Sequence, residues 1–294
     1  MKKTCPNCKA SASLYFQTQD VNRRISAENF NYYKCSSCKL IFLSPMPDNL
    51  GDYYPQNYYH ICSTLEELAR GAEPERYKID IVNQFANGGK LLEIGPASGG
   101  FAYLAKQAGF DVEVIEMSAK CCEFLETKLG VRTINSHNEQ QALSKLEQKN
   151  VIVLWQVIEH LRDPFVLLSE ACNKIKRGGI LVIAAPNPDA LQFRVLGRHW
   201  AHVDAPRHVV LIPKELLVEK AKTMGMKLVF ATTNDIGSIG WNLFGWQFSL
   251  ANFFSRQKHK NFAMRVGGRI TRLLSPIETV EGRGSAYTLV FKKE

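Results

Sequence analysis

The segment Lys90-Leu91-Leu92-Glu93-Ile94-Gly95-Pro96-Ala97-Ser98-Gly99-Gly100 decides how this chain folds. Its first half is a short apolar run of the length a buried strand needs. Its second half is a loop of glycines around Pro96, where the backbone turns tightly and a ligand can come close. Phe101–Ala108 then reads as a helix ended by Gly109. The loop therefore lies between a strand end and a helix start, where free amides face an anionic group. Outward from this unit the alternation repeats. Strands are predicted at Asp111–Glu116, Val131–Ile134, Val151–Gln156, Ile180–Ala184, Lys227–Thr232 and Ala286–Phe291. Helices are predicted at Ala119–Leu129, Gln140–Gln148, Pro164–Ile175 and Lys214–Met224, with Arg177-Gly178-Gly179 as a turn. Strands apolar on both faces, with helices between them, imply an α/β doubly wound sheet.

The 294 residues are 45% hydrophobic and 22% charged, which excludes a disordered or fibrous chain. No run of about 20 apolar residues offers a membrane span. The start, Met1-Lys2-Lys3-Thr4-Cys5, is basic but lacks the apolar core of a secretory signal, so a cytoplasmic location is expected. Three regions are expected: a cysteine-punctuated element over 1–45, an aromatic, proline-rich connector and helix over 46–87, and the α/β domain over 88–294. That domain carries two long insertions, at about 186–213 and about 235–284. Excursions of this length in a compact domain are usually lids or binding elements.

Cys5-Pro6-Asn7-Cys8 and Cys35-Ser36-Ser37-Cys38 are two C-x-x-C turns. Two such turns supply the four soft ligands that tetrahedral zinc takes, and a closed four-thiolate site is structural. Cys62, Cys121, Cys122 and Cys172 are isolated and read as small buried hydrophobes.

The net charge is +9 and unevenly spread: residues 251–294 hold nine bases and three acids, and Arg256–Arg272 holds six bases and no acid. Just before it, Ile236–Phe254 carries six aromatics and no charge. Aromatic residues beside bases suit an apolar lid, a dimer contact, or an interfacial helix on an anionic membrane.

Glu116, at the end of the second strand of the α/β domain, falls about 20 residues beyond the glycine loop, where an acid accepts hydrogen bonds from ribose hydroxyls. An adenosine-containing cofactor is therefore expected. The loop departs from G-x-G-x-x-G and from E-x-G-x-G-x-G at one place, Ala97. The rest of the chain distinguishes them. The run Leu91-Leu92-Glu93-Ile94-Gly95 is followed by Val114-Ile115-Glu116-Met117-Ser118. Then come Trp155-Gln156-Val157-Ile158-Glu159-His160-Leu161-Arg162-Asp163-Pro164, Lys176-Arg177-Gly178-Gly179-Ile180-Leu181 and Pro186-Asn187. In this order and spacing they resemble the class I S-adenosylmethionine-dependent methyltransferases, in a branch with an N-terminal zinc element.

The resemblance implies a Rossmann-like seven-stranded sheet with an antiparallel last strand at Ala286–Phe291, and a helical lid insertion before that strand. It implies that Gly95, Ala97 and Gly99 line the methionine and ribose of S-adenosylmethionine, with Glu93 beneath the loop. Glu116 is expected on the ribose, Met117 against the adenine and Gln156 near the methionine. The adenine-facing acid often found after the third strand is not evident in Asn135-Ser136-His137-Asn138, and Asn150 stands where Asp is frequent.

Methyl transfer to oxygen needs a base, commonly histidine. His160 and His208 are the candidates, with Glu159 beside the first. Each could instead be a strut, and His160 a metal ligand. Arg207 could bind an anionic group or pair with Asp204. Relatives acting on phenolic quinone precursors carry E-x-x-E-H, where this chain has Gln156 in place of the first acid. No [N/D]-P-P-[Y/F] and no Pro-Cys pair follows the fourth strand, which argues against base methylation. O-methylation of a small molecule (a sugar, lipid-linked or aromatic hydroxyl) is expected. An RNA methyltransferase and a noncatalytic cofactor-binding module are the alternatives.

Overall fold

The computed structural model describes residues 2–55 and 58–294; Met1, and Gln56 and Asn57 inside the expected connector, lie outside the described residues. The chain opens with β1 (Lys2–Thr4), β2 (Ser11–Thr18), β3 (Phe30–Cys35) and β4 (Ile41–Leu43), an antiparallel series. The helix expected within 46–87 is two helices, α1 (Leu65–Ala72) and α2 (Arg76–Asn83). A tight turn at Glu73-Pro74-Glu75 separates them, since proline removes a donor from the helical ladder. Thr64 caps α1 by accepting from the Glu67 amide at 3.2 Å.

The α/β domain then runs β5 (Gly89–Ile94), α3 (Gly100–Gln107), β6 (Phe110–Glu116), α4 (Ala119–Phe124), β7 (Arg132–Asn135), α5 (Glu139–Ser144), β8 (Lys149–Trp155), α6 (Pro164–Lys174) and β9 (Ile175–Pro186). Next come α7 (Leu191–Leu196), β10 (Val210–Leu211), α8 (Lys214–Thr223), β11 (Met226–Thr232), α9 (Ile236–Ala251), α10 (Gln257–Glu278) and β12 (Ala286–Lys293). Seven strands form one sheet in the order β11-β12-β9-β8-β5-β6-β7. The five from β9 to β7 are parallel, and β12 runs antiparallel between β9 and β11. The central strands are apolar runs because helices cover both faces. In β8, Val151, Ile152 and Val153 have no exposed surface.

Two details depart from the sequence reading. The helix expected over Ala119–Leu129 ends at Phe124 and widens into a single π-type turn, closed by Gly130 at φ 63°. The turn at Arg177-Gly178-Gly179 is a bulge inside β9, where Lys149 pairs with Ile175 but Val151 pairs with Ile180.

The first 45 residues do not stand apart. Their sheet is completed by β10, from the first insertion, which pairs with β4 through Val210↔Phe42 and Leu211↔Ile41. Tyr32, Leu40 and Ile41 share one buried cluster with Trp200, Leu211, Ile183 and Tyr287 of the larger domain.

Candidate active site

A cavity of about 1090 Å³ opens at the carboxyl ends of β5, β6 and β8, where ligands bind in open α/β sheets. That is room for a cofactor together with an acceptor. Gly95, Ala97, Glu116, Met117 and Gln156 line one part of it; Glu93 and Gly99 lie outside the lining. The loop backbone explains the residue types. Gly95 has φ 70°, and a Cβ there would lie 2.8 Å from Val157 Cγ2. Ala97 holds φ 50°, so the missing glycine of the motif is replaced without losing its conformation. A side chain in that region costs about 1–2 kcal/mol. Gln156, at φ 56°, is a second such residue.

Glu116 is fixed from both sides. It accepts from the Ala97 amide at 3.0 Å and from the Ser118 amide at 2.7 Å. Burial raises its pKa against the pull of these amides. Each oxygen retains lone-pair capacity for a further donor, so the donor set fits a ribose diol. Asn135 shapes this end from behind, donating to the Glu116 and Met117 carbonyls at 3.0 Å each. One residue beyond 135–138, an acid does line the cavity: Glu139, at the start of α5. Glu93 is buried beneath the loop, with Oε2 unpartnered and its pKa pushed up to about 8 by burial. Asn150 has a backbone role: its Oδ1 accepts from the Lys90 amide at 3.0 Å.

The other part of the cavity brings Glu159, His160 and His208 together. The two imidazoles meet edge to face, with ring centres 4.5 Å apart. His208 Nδ1 lies 2.8 Å from the His202 carbonyl. A carbonyl only accepts, so Nδ1 carries the proton and Nε2 keeps its lone pair. His160 Nδ1 faces two oxygens, the Arg207 carbonyl at 3.1 Å and the Tyr54 hydroxyl at 2.9 Å. The Nδ1–H tautomer serves both. Glu159 is fully buried, and neither carboxylate oxygen has a partner. Its Oε1 is 4.0 Å from His208 Nε2. Burial raises Glu159 to about 8 and lowers His208 to about 3; His160 is also lowered by burial. One ligand atom from each of the three lies within 4.8 Å of the others. One carboxylate and two imidazoles are a donor set for a divalent cation or for an acceptor hydroxyl.

Of the two readings of Arg207, pairing with Asp204 is the one the structure has, and the side chain is not free for an anionic substrate. It has no exposed surface and donates to Asp204 at 2.8 and 2.9 Å and to Asp20 at 2.7 Å. Tyr54, Tyr58, Tyr59 and His202, to which the sequence reading gave no role, also line the cavity, as do Trp241 and Phe244. The tyrosines come from the connector. The last two come from the uncharged aromatic segment, whose density of rings was the available signal.

The N-terminal cysteines converge. Cys5 Sγ is 3.6 Å from Cys38 Sγ, Cys8 Sγ is 3.4 Å from Cys35 Sγ, and all four lie within 4.8 Å of one another. Tetrahedral Zn–S bonds of about 2.3 Å place sulfurs about 3.8 Å apart, so the four thiols fit zinc. The two turns are built alike. Cys5 and Cys35 donate their amides to Ala10 and Leu40 at 2.9 Å, and Lys9 and Lys39 both sit at φ 62°. One path from the sheet carrying them to the histidines runs through Val209: Leu43 donates to the Val209 carbonyl at 2.8 Å, and Val209 donates to the Glu159 carbonyl at 2.9 Å.

The family model of the methyltransferase domain matches residues 65–229, more than half of the chain. The chain belongs to this family, and its fold is that of the class I S-adenosylmethionine-dependent methyltransferases. Among solved structures it is similar to a SAM-dependent methyltransferase from Archaeoglobus fulgidus, at 19% identity and TM-score 0.52, covering 78% of this chain and 98% of that one. It is also similar to a putative sarcosine dimethylglycine methyltransferase from Galdieria sulphuraria, at 14% identity and TM-score 0.52, covering 78% and 88%. A third is the geranyl diphosphate C-methyltransferase of Streptomyces coelicolor A3(2), at 15% identity and TM-score 0.52, covering 78% and 82%; that structure holds Mg2+, geranyl diphosphate and S-adenosyl-L-homocysteine. No curated protein matches the chain.

Proposed function

We propose that this methyltransferase acts on a hydroxyl of a small-molecule acceptor (a sugar, lipid-linked or aromatic hydroxyl), with His208 as the base. The observation that carries the reading is the unpartnered Glu159 carboxylate 4.0 Å from the free Nε2 of His208, inside the cavity that also holds the cofactor loop. S-adenosylmethionine, when bound, supplies a methyl group on a positively charged sulfur. Gly95, Ala97, Glu116, Met117 and Gln156 position it, with Glu139 as an added acid. The acceptor oxygen forms a bond to the methyl carbon as the carbon–sulfur bond breaks, and its proton passes to His208 Nε2. Glu159, when ionised, stabilises the resulting imidazolium. Tyr54 and Arg207 hold His160 against the His208 ring. Most of the acceleration comes from placing the acceptor and excluding water.

A second reading is favoured by the same orphaned carboxylate: Glu159, His160 and His208 hold a divalent cation that lowers the acceptor's pKa. The test begins with calorimetric titration of the zinc-loaded protein with S-adenosylmethionine, with NAD as the control. Methyl transfer is then followed to phenols, sugars, lipid-linked hydroxyls and RNA. His208→Gln is expected to retain cofactor affinity and to lose turnover by roughly 10²–10⁴-fold. Unchanged turnover in that variant would remove His208 as the base. Activity restored by Mg2+ or Mn2+ after chelation, in protein that keeps its zinc, would select the second reading.

A further inference from the structure

The helix α9 has its polarity reversed. The stripe facing the domain is Ser238, Asn242, Gly245 and Ser249, with Trp246 the one large apolar side chain among them, all buried. It is held by hydrogen bonds: Ser238 Oγ donates to the Ala286 carbonyl at 3.2 Å, Asn242 Oδ1 accepts from the Ser285 amide at 2.7 Å, and Ser249 Oγ accepts from the Ala201 amide at 2.8 Å. The apolar residues Ile236, Ile239 and Leu243, also at helical spacing, are turned outward, 65%, 46% and 41% exposed. A helix at a water interface shows the opposite arrangement.

The next helix extends the surface. In α10, Ala263 and Gly267 are buried, and Gly267 approaches the backbone of Trp246 and Gln247. Phe262 and Leu273 are 65% and 77% exposed. Eleven residues apart at 3.6 residues per turn, they share one face. Arg265, Arg269 and Arg272 lie within about 80° of it and are exposed. No acid lies between Arg256 and Arg272, so nothing within the segment neutralises them. No helix among the described residues is long and apolar enough to cross a membrane. Apolar side chains exposed beside unneutralised arginines match the two components of an anionic lipid surface, its acyl boundary and its headgroups.

We infer that the α9–α10 hairpin docks this protein on an anionic membrane surface. The hairpin also supplies Trp241, Phe244 and Phe248 to the cavity, so docking sets the cavity beside the lipid. The corollary, that the acceptor is amphiphilic and is drawn from that surface, rests on the methyl-transfer reading; the docking does not.

The test is co-flotation of the full, zinc-loaded chain with vesicles of phosphatidylcholine alone and of phosphatidylcholine with phosphatidylglycerol. Binding to the second only, weakened by salt, is expected. Arg265→Glu with Arg269→Glu and Arg272→Glu should lower the partition by a hundredfold or more, at about a factor of five for each base. Phe262→Ser with Leu273→Ser should lower it at constant charge. Calorimetry with S-adenosylmethionine shows that each variant is folded and keeps the cofactor question separate. Recovery of the unaltered protein entirely in the unbound fraction at low salt would overturn the inference. So would vesicle binding that the apolar pair does not change. A dimer in sedimentation, dispersed by Leu273→Ser, without vesicle binding would assign the face to a second copy instead.

Discussion

Asp20→Ala tests how the site is held. Asp20 is buried to 1% exposure in the loop after β2. Its carboxylate accepts from Arg207 at 2.7 and 3.4 Å and from the amides of Arg23 and Ile25 at 3.1 and 2.9 Å. The substitution leaves two backbone donors without partners and takes one of two carboxylates from a fully buried guanidinium, which keeps Asp204 at 2.8 Å and the Tyr53 carbonyl at 3.3 Å. Unmade buried hydrogen bonds cost about 1–3 kcal/mol each, and breaking a buried ion pair costs about 3–5 kcal/mol. Asp204 still neutralises Arg207, which brings the expected total to about 3–5 kcal/mol. Denaturant unfolding measures it. Function should change in a particular way, because the Arg207 carbonyl is a partner of His160 and the next residue is His208. Turnover should fall while affinity for S-adenosylmethionine stays within about twofold, since the cofactor loop lies on other elements. Tyr32→Phe gives a milder probe, removing only the 2.7 Å bond from its hydroxyl to the His208 carbonyl. The reasoning fails if Asp20→Ala costs less than about 1 kcal/mol. It also fails if cofactor affinity declines in step with turnover.

Further outcomes are expected. Glu116→Gln should weaken S-adenosylmethionine binding by about 10²-fold or more, because charge-assisted bonds contribute about 1.5–3 kcal/mol each; calorimetry reads this directly. Glu93 has a folded pKa raised to about 8. Its stabilising protonation is therefore complete below the ordinary carboxylate range and is lost as pH rises toward 8. Glu93→Gln should accordingly gain stability relative to the unaltered protein as unfolding is measured at increasing pH. Glu159 is raised in the same way, so turnover should climb with pH toward 8, and Glu159→Gln should flatten that limb. Metal analysis should find one zinc per chain. Cys5→Ser should lose it and lower the melting temperature of the whole chain, since the cysteine element shares its core with the larger domain.

The large sheet was readable because strands covered on both faces must be continuous apolar runs, and Val151–Leu154 can be little else. The cofactor end was readable for a related reason. Glu116 and the glycine loop are local, so sequence distance stands in for spatial distance. The acceptor end lacks that property. Val210–Leu211 is too short to show a period, yet its pairing with β4 fixes the position of His208. Tyr54 and Tyr58 sit in an irregular segment, where no periodicity tells which way a ring points. Arg207 was ambiguous because its second acid, Asp20, is 187 residues away. In α9 the rings and the absence of charge were what the sequence displayed, whereas the spacing of small and polar residues at 238, 242, 245 and 249 marked most of the buried face.

The cysteine cluster and His208, the proposed base, are separate in sequence and close in backbone hydrogen bonding. The cysteine turns set where β3 ends and β4 begins, because Cys35 donates its amide to Leu40 at 2.9 Å. From β4, Leu43 reaches Val209, and Val209 reaches Glu159. The Tyr32 hydroxyl, on β3, holds the His208 carbonyl, and Asp20, between β2 and β3, holds Arg207. Three independent contacts therefore run from the first 45 residues to the segment 204–209. A surface-mounted module would need one interface and would leave the site's backbone alone. This one holds the carbonyls of His208 and Val209 and the guanidinium of Arg207, so the position of the histidine end of the cavity depends on the cysteine element. The cofactor half, on β5 and β6, depends on none of these bonds. The chain thus divides the work of one active site between a loop legible in a few residues and a scaffold assembled from distant ones.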